Sequence, residues 1–358
     1  MKKIRVLIIE DSSVIRQFLE HIISRDPRLE IAGAVETAEE ALRILVSVSP
    51  DVISMDIRLP GMNGFDATQR IMQEQPTPIV VVSASVEKED LKITMNALRA
   101  GALTVLEKPT GGTADDYEAL GERICTQLAI MSQVKVVRRR RQTETVPRVG
   151  DQKPTPSATD YRALGIVSST GGPSALVQLL GRLNADFPLP ILLVQHICGS
   201  FLDGFACWLE SVCPFSVEIV KDRAVAERGK VYLPAQDRHL RVESGFVRAT
   251  CGHPVSAQRP SGTVLFESMA ETFGCHALGV ILTGMGDDGA QGLLALRRNG
   301  SYTIAEDEST AVVYGMPGEA VRLGAATESL PLPAIAPRIL ELVQLRKEDA
   351  GWSRLPQF

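Results

Sequence analysis

The chain has 358 residues, 44% of them hydrophobic and 23% charged, with a formal net charge of -5. That is a globular balance with material for about two domains, and it lacks the basic footprint that would favour nucleic acid as the main partner. No stretch reaches the roughly 18 uninterrupted apolar residues that span a bilayer, the basic-then-apolar start stops at Glu10-Asp11, and the six cysteines (Cys125, Cys198, Cys207, Cys213, Cys251, Cys275) contain no CxxC pair. The expectation is a cytoplasmic protein without membrane insertion, disulfide framework or cysteine metal site.

Ile4–Ile9 is a short β-rich apolar run, and Val14–Ile23 then carries apolar residues at the three-four spacing of a helix face. Ile31–Val35, Val52–Met55, Ile79–Val82 and Leu103–Leu106 are further predicted strands, with helices between them over Ala38–Val48, Gly64–Gln73 and Lys88–Ala100. Strict alternation of strand and helix predicts a parallel sheet covered by helices on both faces. Residues 134–160 differ: Arg138-Arg139-Arg140-Arg141 is followed by Pro147, Gly150, Pro154 and Pro156 among polar residues. This reads as an interdomain linker with a solvated basic run.

Alternation resumes at Ala163–Val167 (strand), Pro173–Leu183 (helix) and Ile191–Val194 (strand). Gly229–Thr250 reads as short β-rich pieces. Val264–Phe273 (helix), Leu278–Leu282 (strand), Gly289–Arg298 (helix), Tyr302–Ala305 (strand) and the amphipathic Ala334–Gln344 complete a second doubly wound α/β domain. The expected division is a first domain over 1–125, a linker over 126–160, a second domain over 161–345 and a tail over 346–358.

In open parallel sheets ligands gather at the carboxyl ends of the strands. Glu10-Asp11, Asp56, Ser83-Ala84 and Lys108-Pro109 each end a predicted strand of the first domain. Crowded carboxylates invite a hard divalent cation with oxygen ligands, such as Mg²⁺. The metal neutralises phosphoryl oxygens while one carboxylate attacks phosphorus, and the lysine balances the added charge. These stretches, with Asp56-Ile57-Arg58-Leu59-Pro60-Gly61-Met62-Asn63-Gly64, resemble a bacterial response-regulator receiver domain over essentially residues 2–125. The resemblance implies a flavodoxin-like fold and Asp56 as phosphoacceptor. It further implies Glu10, Asp11 and Asp56 as Mg²⁺ ligands, Ser83 and Lys108 as phosphoryl contacts, and a cis bond before Pro109. Val105 stands where the family usually has an aromatic switch residue.

The second chemical segment is Gly165-Ile166-Val167-Ser168-Ser169-Thr170-Gly171-Gly172-Pro173, a strand running into a helix. Backbone N–H groups at such a turn bind phosphate or an oxyanion. The dinucleotide GxGxxG pattern fails, and a nucleophile elbow fits half-way, since Gly171 follows Ser169 by two but Val167 precedes it. A serine nucleophile needs a base and an orienting carboxylate. Of the five histidines (His21, His196, His239, His253, His276) only His196 directly follows a predicted strand of this domain. Thr283-Gly284-Met285-Gly286-Asp287-Asp288-Gly289 delivers Asp287 or Asp288 to the same edge; the plainer role for both is capping the next helix.

These segments, with Arg259-Pro260-Ser261 and Gly315-Met316-Pro317, resemble the catalytic domain of the chemotaxis protein-glutamate methylesterase/protein-glutamine glutaminase (CheB) family over about residues 161–345. The receiver–linker–hydrolase order matches too. The resemblance implies a Rossmann-like domain with Ser169 as nucleophile, His196 as general base and then acid, and Asp288 as orienting carboxylate. Thr170, Gly171 and Gly172 then line the oxyanion turn, and the catalytic domain needs no cofactor. Val167-Ser168, Ile197-Cys198 and Gln258 depart from the family pattern. The implied activity is hydrolysis of glutamate methyl esters, and deamidation of glutamines, on methyl-accepting chemotaxis receptors. The implied phosphodonor is the histidine kinase of that system, and the unphosphorylated receiver is expected to pack over the Ser169 edge and block it. The alternative is a response regulator with a non-catalytic binding or transcriptional output, for which the Gly289–Arg298 helix offers only Arg297-Arg298.

Overall fold

Apolar runs bounded by polar turns become five strands, β1 (Ile4–Ile9), β2 (Leu29–Val35), β3 (Val52–Met55), β4 (Ile79–Ser83) and β5 (Thr104–Glu107), in a computed structural model of the chain. It describes residues 2–83, 88–108, 114–134, 136, 160–243 and 245–349. Ala84, Pro109 with the bond before it, the Arg138-Arg139-Arg140-Arg141 run and most of the expected linker, and the tail from 350 lie outside the described residues. The chain divides into two units, residues 1–140 with 197–208, and residues 141–196 with 209–358.

In the first unit all five strands pair in parallel, in the order β2-β1-β3-β4-β5. Every residue of β3 and β4 is buried, the signature of a sheet covered on both faces. The helices are α1 (Ser13–Arg25), α2 (Ala38–Val48), α3 (Gly64–Glu74), α4 (Lys88–Ala100) and α5 (Ala114–Met131). Local chemistry sets their starts: Asn63 Oδ1 accepts from Asp66 N–H at 3.0 Å and so begins α3. From β1 the chain steps to β2 on one side and then to β3 on the other. The strand order therefore reverses between β1 and β3, which opens a crevice above their carboxyl ends.

From residue 160 the chain forms β6 (Ala163–Ser168), α6 (Gly172–Leu180), β7 (Ile191–Gln195), α7 (Leu202–Val212), β8 (Ser216–Val220), β9 (Arg223–Val225), β10 (Lys230–Pro234), β11 (His239–Glu243), β12 (Phe246–Thr250), α8 (Gly262–Phe273), β13 (Ala277–Ile281), α9 (Ala290–Arg298), β14 (Tyr302–Glu306), α10 (Met316–Arg322), β15 (Glu328–Leu330) and α11 (Leu332–Asp349). Seven strands make a parallel sheet in the order β15-β14-β13-β6-β7-β10-β8. The β-rich middle section resolves into β10, inside that sheet, and the β11-β12 hairpin. The hairpin joins β9 in a separate antiparallel sheet of three strands.

The core between that small sheet, α8 and the main sheet includes Val167, Tyr232, Leu240, Val247, Phe266 and Met269. Its one phenol is satisfied: Tyr232 Oη accepts from Glu227 N–H and donates to Val225 O, each at 2.8 Å. The order reverses at β6, with β7 on one side and β13 on the other, so the carboxyl ends of these three strands frame the second crevice. Among the described residues no helix is long and apolar enough to cross a membrane.

Candidate functional site

At the β1/β3 crevice, Glu10, Asp11 and Asp56 place carboxylate oxygens within 4.8 Å of one another. Glu10 and Asp56 are buried; Asp11 is exposed. Lys108, just past β5, sets its Nζ 2.8 Å from Glu10 and 2.8 Å from Asp56, and Ile57 N–H donates to Asp56 Oδ1 at 2.7 Å. Ser83 is buried at the end of β4, and its carbonyl accepts from Lys108 N–H at 3.0 Å. Lys108 thus bridges two of the three carboxylates. Burial, reinforced by the Asp56 charge, pushes Glu10 up to about 7 against the pull of Lys108 and the Ser12 N–H. Burial likewise raises Asp56, although Lys108 opposes it. An all-oxygen, under-compensated carboxylate set is a donor set that fits a hard divalent cation. Val105 is buried in β5 opposite Val81, so no ring stands three residues before Lys108.

At the second crevice the turn after β6 is tightly determined. Gly171 sits at φ +77°, and a Cβ there would also meet Val312 at 2.7 Å. A Cβ on Gly172 would lie 2.1 Å from Gln195 Oε1 and 2.9 Å from Ser168 Oγ. Gln195 ends β7 and is buried; its Oε1 accepts from Ser168 Oγ at 2.6 Å, and its Nε2 donates to the carbonyls of Ser169 and His196, both at 2.9 Å. The two strand ends carrying Ser169 and His196 are therefore bound through one amide, and also by His196 N–H to Ser168 O at 3.0 Å. Gly172 N–H closes a turn onto Ser169 O at 2.9 Å. Of the three expected oxyanion-turn residues, it alone has its N–H in a backbone hydrogen bond among the described residues.

The third strand end brings the carboxylate. His196 Nε2 lies 2.8 Å from Asp288 Oδ2, while His196 Nδ1 is buried without a hydrogen-bond partner among the described residues. Of the adjacent pair left open by sequence, Asp288 is buried against the histidine and Asp287 is exposed. Asp288 also receives Ser261 Oγ at 2.5 Å, Gly262 N–H at 2.6 Å and Thr263 N–H at 3.2 Å. Burial alone would raise its pKa, but the hydrogen bond and charge of His196, then Ser261 and Gly262, hold it below the ordinary carboxylate range.

Several contributing residues carry no individual sequence signal. Gln195 and Ser261 stood inside motifs without a role. Thr283 N–H donates to the buried Glu306 at 2.8 Å, and Thr283 Oγ1 to Thr170 O at 2.9 Å. Thr283 O accepts from Ser169 N–H at 3.0 Å. Glu306 ends β14, so its place on the active edge could have been read from the strand register.

A receiver-type acidic pocket on a flavodoxin-like sheet, followed by an α/β unit with a histidine–aspartate pair at its switch point, defines a response regulator with an output domain of hydrolase type. The family model for the response regulator receiver domain matches residues 6–115, and that for CheB methylesterase matches residues 164–339. The chain is 54% identical to protein-glutamate methylesterase/protein-glutamine glutaminase 2 of Paramagnetospirillum magneticum, over 95% of this chain and 98% of that one. It is 42% identical to protein-glutamate methylesterase/protein-glutamine glutaminase 4 of Myxococcus xanthus, over 94% and 96%. It is 40% identical to protein-glutamate methylesterase/protein-glutamine glutaminase of Nitrosospira multiformis, over 96% and 98%. The chain belongs to the CheB methylesterase family with an N-terminal response-regulator receiver domain.

Proposed function

We propose that this protein is a cytoplasmic, phosphorylation-regulated serine hydrolase that removes methyl groups from glutamate methyl esters, and deamidates glutamines, on methyl-accepting chemotaxis receptors. In this reading residues 1–125 are the regulatory domain and 161–345 the catalytic one, and the histidine kinase of the same sensory system supplies the phosphoryl group. The observation that carries it is the His196 ring at the strand end next to Ser169, with Nε2 on Asp288 and a buried Nδ1 that has no hydrogen-bond partner among the described residues.

The chemistry follows from that ring. Asp288 accepts a hydrogen bond from Nε2–H, which fixes the tautomer with a lone pair on Nδ1. Nδ1 takes the Ser169 hydroxyl proton as Oγ adds to the ester carbonyl carbon. The oxyanion forms against the N–H groups of Thr170 and Gly171, since Gly172 N–H is held by Ser169 O. The tetrahedral species collapses, the C–OMe bond breaks, and Nδ1–H protonates the departing methoxide to methanol. Water, deprotonated by Nδ1, then adds to the acyl carbon, the bond to Ser169 Oγ breaks, and Nδ1–H returns the proton to Oγ, freeing glutamate and Ser169. With a glutamine substrate the same steps release ammonia. The paired Asp288 charge lowers the energy of the imidazolium in both halves.

In the receiver, Asp56 Oδ attacks the phosphorus of the kinase's phosphohistidine, the P–N bond breaks and the imidazole leaves, and Lys108 and Ser83 then contact the transferred phosphoryl oxygens. Glu10, Asp11 and Asp56 would hold Mg²⁺, which neutralises those oxygens when bound. For the non-catalytic alternative, the basic end of α9 offers little: Arg297 already donates to Ala326 O at 2.7 Å within its own unit. The direct test is methanol release from methylated receptor, with and without a small phosphodonor. The wild type releases methanol faster with the donor, and Ser169→Ala loses at least about a thousandfold. Activity surviving in Ser169→Ala removes the serine mechanism.

A further inference from the structure

The carboxylate that orients His196 is itself held from an unexpected side. Ser261 is the N-cap residue of α8, is fully buried, and makes no side-chain cap to its own helix. Its hydroxyl instead donates to Asp288 Oδ1 at 2.5 Å. Asp288 takes over the cap, receiving Gly262 N–H and Thr263 N–H from the first turn. Counting His196, four donors meet a carboxylate that has about four lone-pair sites. Rotation of the carboxylate about its Cβ–Cγ bond would break at least one of these bonds, so its plane is fixed. The start of α8, twelve residues long, adds the favourable end of a helix dipole.

A second layer stands behind the first. Ser261 N–H donates to His239 Nδ1 at 3.2 Å, and His239 Nε2 lies 3.0 Å from His253 O. A carbonyl oxygen only accepts, so Nε2 carries the proton and Nδ1 the lone pair. His239 is therefore a neutral ring with both nitrogens occupied, buried at 3% exposure, and it has no free nitrogen for chemistry. Nδ1 holds the Ser261 amide, while Nε2 anchors the ring on the His253 carbonyl.

We infer that Ser261 and His239 are positioning residues for the hydrolytic reaction, fixing the Asp288 carboxylate and through it the His196 ring and its tautomer. This rests on the reading of His196 and Asp288 given above. Ser261 acts directly on the carboxylate, and His239 acts one bond further out through the Ser261 amide.

The test uses the full-length protein with methylated receptor as substrate and compares Ser261→Ala, His239→Ala, His239→Asn and Asp288→Asn. A hydrogen bond to a charged group has a net worth that predicts about a tenfold fall in kcat for Ser261→Ala, with KM little changed. His239→Ala falls by a smaller factor, and His239→Asn, which keeps an acceptor near the Nδ1 position, recovers most of it. A purely structural role for Ser261 would not move the ring tautomer of His196. Nitrogen-15 NMR of that ring therefore reads Nε2–H in the wild type and a tautomer mixture in Ser261→Ala. Wild-type kcat and an unmixed tautomer in Ser261→Ala, with Asp288→Asn inactive, overturn this inference alone. Full activity in Asp288→Asn overturns the underlying pair as well.

Discussion

Asp56 and Asp288 occupy equivalent places in two unrelated sheets, buried at the carboxyl ends of central parallel strands on either side of a switch point, yet their chemistry is opposite. Asp56 shares its one lysine with Glu10, and burial dominates, so its proton is held more tightly than in water. Asp288 receives four donors, shared with no other carboxylate among the described residues, and is held below the usual carboxylate range despite similar burial. Burial raises both; the difference lies in how the neighbours compensate it. An under-compensated carboxylate is suited to attack an electrophile and to share a cation. A saturated one is suited to stay ionised and still while another group moves protons.

Replacing each aspartate by its amide tests this contrast most sharply. Asp288→Asn loses the charged acceptor for Nε2–H and favours the wrong imidazole tautomer, so kcat should fall by about 10³–10⁴ whether or not a phosphodonor is present. Asp56→Asn should still turn over ester but no longer respond to the phosphodonor. Methanol-release rates with and without donor give both results. If the two amides behaved alike, the two sites would not have the separate roles drawn from their geometry.

The strand–helix alternation of the receiver was legible, and the predicted bounds of Ala38–Val48 and Lys88–Ala100 coincide with α2 and α4. Apolar periodicity over a dozen residues sets such elements almost alone. In the second unit α6 starts at Gly172 and stops at Leu180, short of the predicted Leu183. The apolar Leu183 is buried beyond the helix, which is why it extended the pattern. The short β9, β15 and α10, of three, three and seven residues, are too brief for any period to register. Ile124, Leu128 and Met131, which α5 buries, carry the three-four spacing of a helix face.

Among the expected site residues, Ser169 and His196 follow strand ends that the pattern reveals, but nothing local separates Asp287 from Asp288. That choice is made by Ser261 and Gly262, 27 and 26 positions away. The His196 Nδ1 that has no partner among the described residues and the engaged N–H of Gly172 are likewise products of folding, since each depends on what the fold places beside it.

The rigidity of the second edge can be broken separately from its charges. In Gly172→Ala the new methyl overlaps Gln195 Oε1, and Gln195 cannot swing away without releasing Ser168, Ser169 and His196. Overpacking of this kind should cost about 3 kcal/mol in urea unfolding, together with most of the esterase activity. Gly245→Ala is the control, because a Cβ there meets nothing within 4 Å although φ is +85°. Its cost should be only the backbone one, about 1 kcal/mol, with activity retained. Equal losses in the two variants would mean that the turn after β6 tolerates extra volume and that the Gln195 clamp is loose.

Glu306 tests the same rule at an intermediate point. It is fully buried at the end of β14 and receives two neutral donors, Thr283 N–H at 2.8 Å and Thr310 Oγ1 at 3.1 Å. Burial outweighs them and pushes its pKa up to about 7 from 4.5. The folded chain therefore keeps this proton while the unfolded chain has already released it. Glu306 contributes stability that is fully present below 4.5 and is lost as pH rises to about 7. Glu306→Gln keeps an acceptor for Thr283 and cannot ionise, so it removes that loss. Urea unfolding of both proteins at about pH 5 and about pH 8 should show the stability difference moving toward the variant by on the order of 2 kcal/mol. Other titrating groups cancel in the difference, Glu10 included. A difference independent of pH would mean that two neutral donors already suffice to keep a buried carboxylate ionised. The low pKa of Asp288 would then need neither its third and fourth donors nor the charge of His196.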